Sequence, residues 1–311
     1  MAQALDKLLN KVLLGDIREV YTYIPDQFVQ SIITSPPYFG HRKYSNIDNE
    51  IGREKTLNKY VNNLVSCFEF IKPKLKDSGL LWLNLGDTYR DKELLGIPWR
   101  VAFALQDNGW ILRSDIVWKK TNAMPSSVKD RPTIEHEYIF LFSKTSKYYY
   151  DADSIREPHV TFTEKSRMKG GKNHFGKKNS TPENGKNAGN QNLHDGRWDQ
   201  AFHPKGRNKR TVWEIPLGKF RDVHFAVYPE KLVETCLLAS TKQNDVVLDP
   251  FTGSGTTGVV AKKHNRSFIG IELVEKYQIM AQNRIDETTF QETIFFTQEP
   301  LTRSQTLFGN D

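Results

Sequence analysis

Cysteine is scarce: Cys67 and Cys236 are the only two in 311 residues. Two thiols cannot form a disulfide framework, and they are too few to close a zinc site by themselves. Long apolar runs are also missing, and no stretch approaches the ~18 residues of a membrane span. The N-terminus lacks the charged-then-apolar layout and the small-residue cleavage site of a secretory signal. These absences lead us to expect a cytoplasmic protein with no membrane partner. No internal repeat is visible. At 38% hydrophobic and 26% charged, the chain has the composition of a globular protein able to bury a core.

An acidic surplus is lacking as well. The formal net charge is +7, and its location is informative. Between Arg156 and Arg210 there are thirteen Lys and Arg against five Asp and Glu. That local surplus of eight exceeds the surplus of the whole chain, so one segment carries the basic character. Residues 151–210 also hold seven Gly, seven Asn and four of the eight His, with few aliphatics. Such a stretch reads as an irregular basic module suited to a polyanion. His159, His174, His194 and His203 lack metal-ligand spacing, so no metal site is expected there.

Elsewhere the pattern is regular. Residues 29–34 read as an apolar strand that must stop at Pro36 and Pro37, which cannot donate to a sheet ladder. Leu57, Val61, Leu64, Phe68, Ile71 and Leu75 recur at helical spacing, predicting an amphipathic helix over 57–75. Residues 79–85, 111–118 and 138–142 read as strands, and Pro98 and Gly109 bracket a helix. A helix or turn is expected around Gly15 and Asp16. Beyond Trp213, helices are expected at 229–240 and 256–264, with strands at 245–248 and 267–271. Alternating strands and helices imply an α/β fold on a mostly parallel sheet.

Two motifs carry chemistry. The first is Asp249-Pro250-Phe251-Thr252-Gly253-Ser254-Gly255-Thr256-Thr257-Gly258, a strand end, a small-residue turn and a helix start. Glycines there let the backbone approach a ligand and expose amides at a helix N-terminus. Glu272, ending the next strand, can take both hydroxyls of a ribose. A nucleoside-containing cofactor is the natural ligand. Gly253, Gly255 and Gly258 also fit the dinucleotide fingerprint of a dehydrogenase. Against that rival, Asp249 suits a cationic group and would repel a pyrophosphate.

The second motif is Thr34-Ser35-Pro36-Pro37-Tyr38. A base amine is a poor nucleophile because its lone pair is delocalised into the ring. Two acceptors holding its hydrogens would turn that lone pair toward an electrophile. The Ser35 hydroxyl and the Pro36 carbonyl can be those acceptors, with Pro37 stiffening the turn. Tyr38 offers a flat face for an extruded base, whose flipping costs a few kcal/mol.

Together these residues resemble the beta-ordered group of S-adenosylmethionine-dependent DNA amino-methyltransferases. In that group the catalytic motif comes first, the target-recognition region lies in the middle, and the cofactor loop comes last. The resemblance covers roughly residues 12–285. It implies a Rossmann-like methyltransferase fold with circularly permuted motif order and an inserted recognition region. It implies a catalytic half over 1–150, target recognition over 151–212, a cofactor half over 213–290 and a tail over 291–311. Catalytic roles fall to Ser35, Pro36, Pro37 and Tyr38. Cofactor contacts fall to Asp16, Phe225, Pro229, Asp249, Pro250, Phe251, Gly253, Ser254, Gly255, Thr256, Thr257 and Glu272. The stretches Leu83-Asn84-Leu85-Gly86-Asp87-Thr88-Tyr89 and Glu135-His136-Glu137-Tyr138 match strand motifs that line the base pocket.

Methylation at ring carbon 5 of cytosine needs a cysteine nucleophile beside a proline, and neither Cys67 nor Cys236 fits. A serine at position 35 is typical of cytosine-N4 methylation within the resembled group, and aspartate of adenine-N6, which stays as the alternative. Arg197, Gln200, Arg207 and Arg210 are candidates for contacting double-stranded DNA. The resemblance implies a restriction–modification enzyme of a bacterial or phage-infected cell, with a cognate endonuclease acting independently. A dehydrogenase, or a non-catalytic DNA-binding protein on the same scaffold, are the readings from other classes.

Overall fold

The computed structural model describes residues 8–40, 50–158, 205–218 and 228–290. Its centre is an eight-stranded sheet. In chain order the strands are β1 (Lys11–Leu14), β2 (Val29–Thr34), β3 (Leu75–Leu85), β6 (Ile111–Lys119), β7 (His136–Ser143), β8 (Val212–Glu214), β9 (Val246–Asp249) and β10 (Ser267–Glu272). A separate two-stranded hairpin pairs β4 (Tyr89–Arg90) with β5 (Glu93–Leu94). The spatial order is β1-β10-β9-β2-β3-β7-β6-β8. Only β7 runs against its neighbours, through its pairings with β3 and β6.

The helices are α1 (Ile17–Val20), α2 (Leu57–Ile71), α3 (Ile97–Asp107), α4 (Glu230–Ser240), α5 (Thr256–Lys263) and α6 (Glu275–Glu287). They divide between the faces of the sheet. One apolar core joins α1, α2 and α3 to residues such as Ile32, Leu81, Leu83, Leu248 and Ile269. The other joins α4, α5 and α6 to Ile33, Leu80, Trp82, Val247 and Phe268. Alternate residues of β2, β3, β9 and β10 thus point to opposite cores, as the two-residue strand period requires. Burial on both faces explains why β2 and β9 are buried at every position.

One expectation needs correction, and one strand was not expected. Leu75 has helical spacing from Ile71, yet it begins β3. The helix ends at Ile71 and the turn Lys72–Lys74 carries Pro73, which has no N–H to continue the helical ladder. The segment before Gly15 contains a strand, β1, which pairs with β10 at the sheet edge. Four residues with one fully buried position give too short a pattern to read.

The strand order places a switch point between β9 and β2. From β9 the sheet grows through β10 to β1, and from β2 it grows through β3. Ligands of open α/β sheets bind outside the carboxyl ends of the strands at such a point. The basic segment leaves and re-enters near the other edge. Glu157 and Arg207 exchange backbone hydrogen bonds of 2.9 and 2.8 Å, bringing its two ends together. After that bridge the chain pairs β8 in parallel with β6.

Candidate active site

A cavity of about 470 Å³ opens along the carboxyl ends of the strands. That volume lies within the range of small-molecule sites. Its walls are the segments that follow β1, β2, β9 and β10, joined by residues of β3, β6 and β7. Asp16, Ser35, Pro36, Pro37, Tyr38, Pro250, Phe251, Gly253, Ser254, Thr256 and Glu272 all border it. Two motifs more than two hundred residues apart in sequence therefore face one space.

At one end lies the glycine loop. Gly255 sits at the helix start with φ of 83°, a region that favours glycine. A Cβ at Gly258 would fall on Ile285 Cδ1 and lie 2.8 Å from Phe268 Cδ1, so its bareness lets α5 close on α6 and β10. Glu272 accepts the Gly253 amide at 2.9 Å and the Val274 amide at 3.0 Å. Burial is the largest influence on this carboxyl, and it pushes the pKa up to about 7. The two amides oppose that rise, while buried Asp249 adds to it. Each carboxylate oxygen has a second lone pair, so the group can still receive a pair of hydroxyls. Phe251, Ile271, Val274 and Tyr277 add an apolar wall, and Ser254 and Thr256 add hydroxyls. These residues fit a nucleoside carrying a polar tail. Asp16 is the N-cap of α1 and is ion-paired with Arg18, whose Nε donates to it at 2.8 Å.

Asp249, expected to meet the ligand, stands back from the cavity. Its carboxylate is fully buried and does not border the cavity. It accepts from Thr34 Oγ1 at 2.6 Å, the Phe251 amide at 3.1 Å, Tyr228 Oη at 2.9 Å and Thr257 Oγ1 at 2.7 Å. Burial raises its pKa, and those four donors oppose the rise. The acid expected to meet a cationic ligand instead fastens the end of β2 to the end of β9. Thr34, to which the sequence assigned no separate task, is the β2 side of that clasp, and Tyr228 closes it. Thr257 serves the clasp too, and Pro229 caps α4 outside the cavity wall.

At the other end a polar cluster surrounds Ser35. Ser35 Oγ lies 3.3 Å from Tyr38 Oη. Tyr38 Oη donates to Glu137 Oε2 at 2.7 Å. Asn84 Nδ2 donates to Glu137 Oε2 at 2.8 Å, and lies 3.0 Å from Tyr38 Oη and 3.3 Å from Ser35 Oγ. Lys120 Nζ donates to Glu137 Oε1 at 2.5 Å. Burial and the nearby Glu137 charge hold the Tyr38 phenol well above its ordinary pKa, so it stays protonated. The Tyr38 ring lies against Gly86, where a Cβ would come within 2.7 Å of Cε2. Tyr60 on α2 donates to the Pro37 carbonyl at 2.9 Å and holds the turn.

Asn84 and Glu137 belong to stretches expected to line the pocket, but nothing local in the sequence marked Lys120 or Trp118. They border the cavity because β6 runs beside β7 and ends at the same rim. Arg207 is paired with Glu157 at 3.2 Å, and the Arg210 carbonyl accepts from Trp213 Nε1 at 2.8 Å. Phe225, Arg197 and Gln200 lie outside the described residues, as do all four histidines of the basic segment. Cys67 and Cys236 are buried in helices away from the cavity wall, and burial pushes the Cys67 thiol up to about 12.

The DNA methylase family model for N6/N4 enzymes matches residues 29–283. The chain is a member of that family. It is 40% identical over 300 residues to the type II methyltransferase M.Cfr9I of Citrobacter freundii, covering 87% of this chain and 86% of the relative. It is 38% identical over 306 residues to the type II methyltransferase M.SmaI of Serratia marcescens, covering 88% and 90%. Its fold matches PvuII DNA methyltransferase (cytosine-N4-specific) with a TM-score of 0.62 at 20% identity, covering 89% of this chain and 88% of that one. It also matches the putative DNA modification methylase TTHA0409 of Thermus thermophilus, complexed with S-adenosyl-L-methionine, with a TM-score of 0.58 at 24% identity, covering 90% and 94%. The enzyme thus has the α/β methyltransferase fold expected from its sequence, and the methyl donor of its family is S-adenosylmethionine. No helix among the described residues is long and apolar enough to cross a membrane.

Proposed function

We propose that this methylase transfers a methyl group to the exocyclic N4 of a cytosine flipped out of double-stranded DNA. The observation that carries the reading is the shared cavity. Ser35 and Tyr38 stand at one end of it, and Glu272 and the glycine loop at the other.

Glu272 would hold the ribose hydroxyls of S-adenosylmethionine, with Phe251 against the adenine and Ser254 and Thr256 toward the polar tail. When bound, that molecule supplies an electrophilic methyl group on a sulfonium. The Ser35 hydroxyl and the Pro36 carbonyl accept the amine hydrogens and hold the lone pair in line, an alignment effect. Tyr38 gives the base a flat surface, and its ring is backed by Gly86. The Asp249 clasp fixes the distance between the two ends of the cavity by tying Thr34, next to Ser35, to the loop that begins at Pro250.

Cytosine rather than adenine is supported by the serine at position 35 and by the structural likeness to an N4-specific enzyme. The type II relatives support a place in restriction–modification. In the same reading residues 1–150 form the catalytic half, 151–212 the recognition region, and 213–290 the cofactor half.

The test is incubation with plasmid DNA and labelled S-adenosylmethionine, followed by digestion to nucleosides and mass spectrometry. N4-methylcytosine is the expected product. N6-methyladenine would overturn the choice of base, and no labelled base in any DNA would overturn the whole reading.

A further inference from the structure

Amine methylation leaves a proton to dispose of, and the cluster around Ser35 contains a route for it. We infer that Ser35, Tyr38 and Glu137 form a proton relay, in which Glu137 is a positioning residue that keeps Ser35 an acceptor and receives the proton released by the methylated amine. The inference rests on the proposed amine methylation at Ser35.

The direction of the chain follows from donor and acceptor types. A carboxylate accepts only. Tyr38 Oη, 2.7 Å from Glu137 Oε2, must therefore donate to it. The Tyr38 oxygen is then the acceptor for the Ser35 hydroxyl 3.3 Å away. With its proton committed to Tyr38, Ser35 presents lone pairs to the cavity that it borders. Asn84 Nδ2 is compatible with the same order: its two hydrogens serve the nearest acceptors, Glu137 Oε2 at 2.8 Å and Tyr38 Oη at 3.0 Å, and Ser35 Oγ lies farther at 3.3 Å. Lys120 supplies the counter-charge that Glu137, only 14% exposed, requires.

In the step itself, a C–N bond forms as the C–S bond breaks and leaves its electron pair on sulfur. The amine nitrogen, now cationic, gives one proton to Ser35 Oγ. The Ser35 proton passes to Tyr38 Oη, and the Tyr38 proton passes to Glu137 Oε2. One N–H bond is lost, one O–H bond forms on the carboxylate, and both hydroxyls are restored. Burial keeps Tyr38 from ionising, so it can hand a proton on without holding a charge. A ring that served for stacking alone would need no hydroxyl.

That last point supplies the experiment. Glu137→Gln, Tyr38→Phe and the double variant are compared with wild type on duplex DNA in single-turnover methyl transfer. Dissociation constants for S-adenosylmethionine and for duplex are measured alongside, with thermal denaturation as a check on folding. Each single variant is expected to lose about a hundredfold in transfer rate, the lower range for a positioned proton acceptor, with both dissociation constants unchanged. The double variant should lose no more than either single one, and Glu137→Asp should recover part of the loss.

Full activity in Tyr38→Phe with a large loss in Glu137→Gln would overturn the relay, because Glu137 would then act without Tyr38. Multiplicative losses in the double variant would overturn it as well. If Glu137→Gln fails to fold, Tyr38→Phe alone decides, since it deletes one oxygen from the chain and leaves the ring in place. A wild-type enzyme that methylates no base amine would instead remove the reading on which the relay stands.

Discussion

Glu272 holds a carboxylate in a place that opposes its charge, and replacing it with glutamine should separate stability from binding. Its pKa of about 7 stands well above the ordinary carboxyl value of 4.5. The folded protein therefore binds this proton more tightly than the unfolded chain does. Stability is full below the unfolded pKa and declines as pH rises from about 4.5 to about 7, after which the loss is complete. A shift of this size corresponds to about 3 kcal/mol across the window, at about 1.4 kcal/mol per pH unit. Glu272→Gln removes the titration. The variant should gain on wild type by about that amount between pH 4.5 and 8, measured by urea denaturation of the ligand-free enzyme at closely spaced pH values.

Cofactor affinity should move the other way. If the ionised carboxylate receives the ribose hydroxyls, wild-type affinity falls as pH drops through about 7, by about tenfold between pH 8 and pH 6. The glutamine variant should bind weakly at both values. Its residual pH dependence reports only titrations outside Glu272, including any on the cofactor itself. Calorimetric titration of both proteins at both pH values supplies the comparison. Parallel stability curves for wild type and variant across pH 4.5–8 would refute the burial argument. Equal cofactor affinity in the two proteins would refute the assignment of Glu272 to the ribose.

The other predictions concern the clasp, the helix contact and the basic segment. Asp249→Ala leaves three hydroxyls and one amide without their buried acceptor, which should cost about 3 kcal/mol or more; a variant of wild-type stability with merely weaker cofactor binding would return Asp249 to its expected ligand role. Gly258→Ala gains about 1 kcal/mol of helix propensity, yet its methyl would overlap Ile285 and Phe268. Overpacking of about 1–3 kcal/mol should win, so an unchanged melting temperature would show that α6 yields at no cost. If residues 151–210 neutralise about six phosphates, the log–log dependence of DNA affinity on salt should have a slope near −5, and a flat response would separate that segment from DNA binding.

How far the sequence revealed this enzyme depended on the range over which each signal acts. Strands and helices buried on both faces were visible because their apolar runs are local: Val29–Thr34 carries its boundary in the prolines that follow. Ser35, Tyr38 and Glu272, which all border the cavity, were legible as candidates for a related reason, since each stands at or just beyond a strand end, where an α/β sheet places its chemistry. Asp249 obeys the same positional rule, yet its carboxylate is turned toward the protein. Whether a strand-end carboxylate faces a ligand or the protein depends on which donors converge on it, and here Thr34 and Tyr228 come from other segments to join Thr257 of the same motif. No pattern along one stretch of chain encodes that convergence. The same holds for Lys120, which meets Glu137 only because β6 and β7 pair antiparallel and bring Lys119 opposite His136. The sequence could therefore point to the two acceptors proposed for a base amine, but not to the carboxylate at the end of the proposed relay. The relay and the clasp are products of strand register, and strand register is what a single sequence specifies least directly.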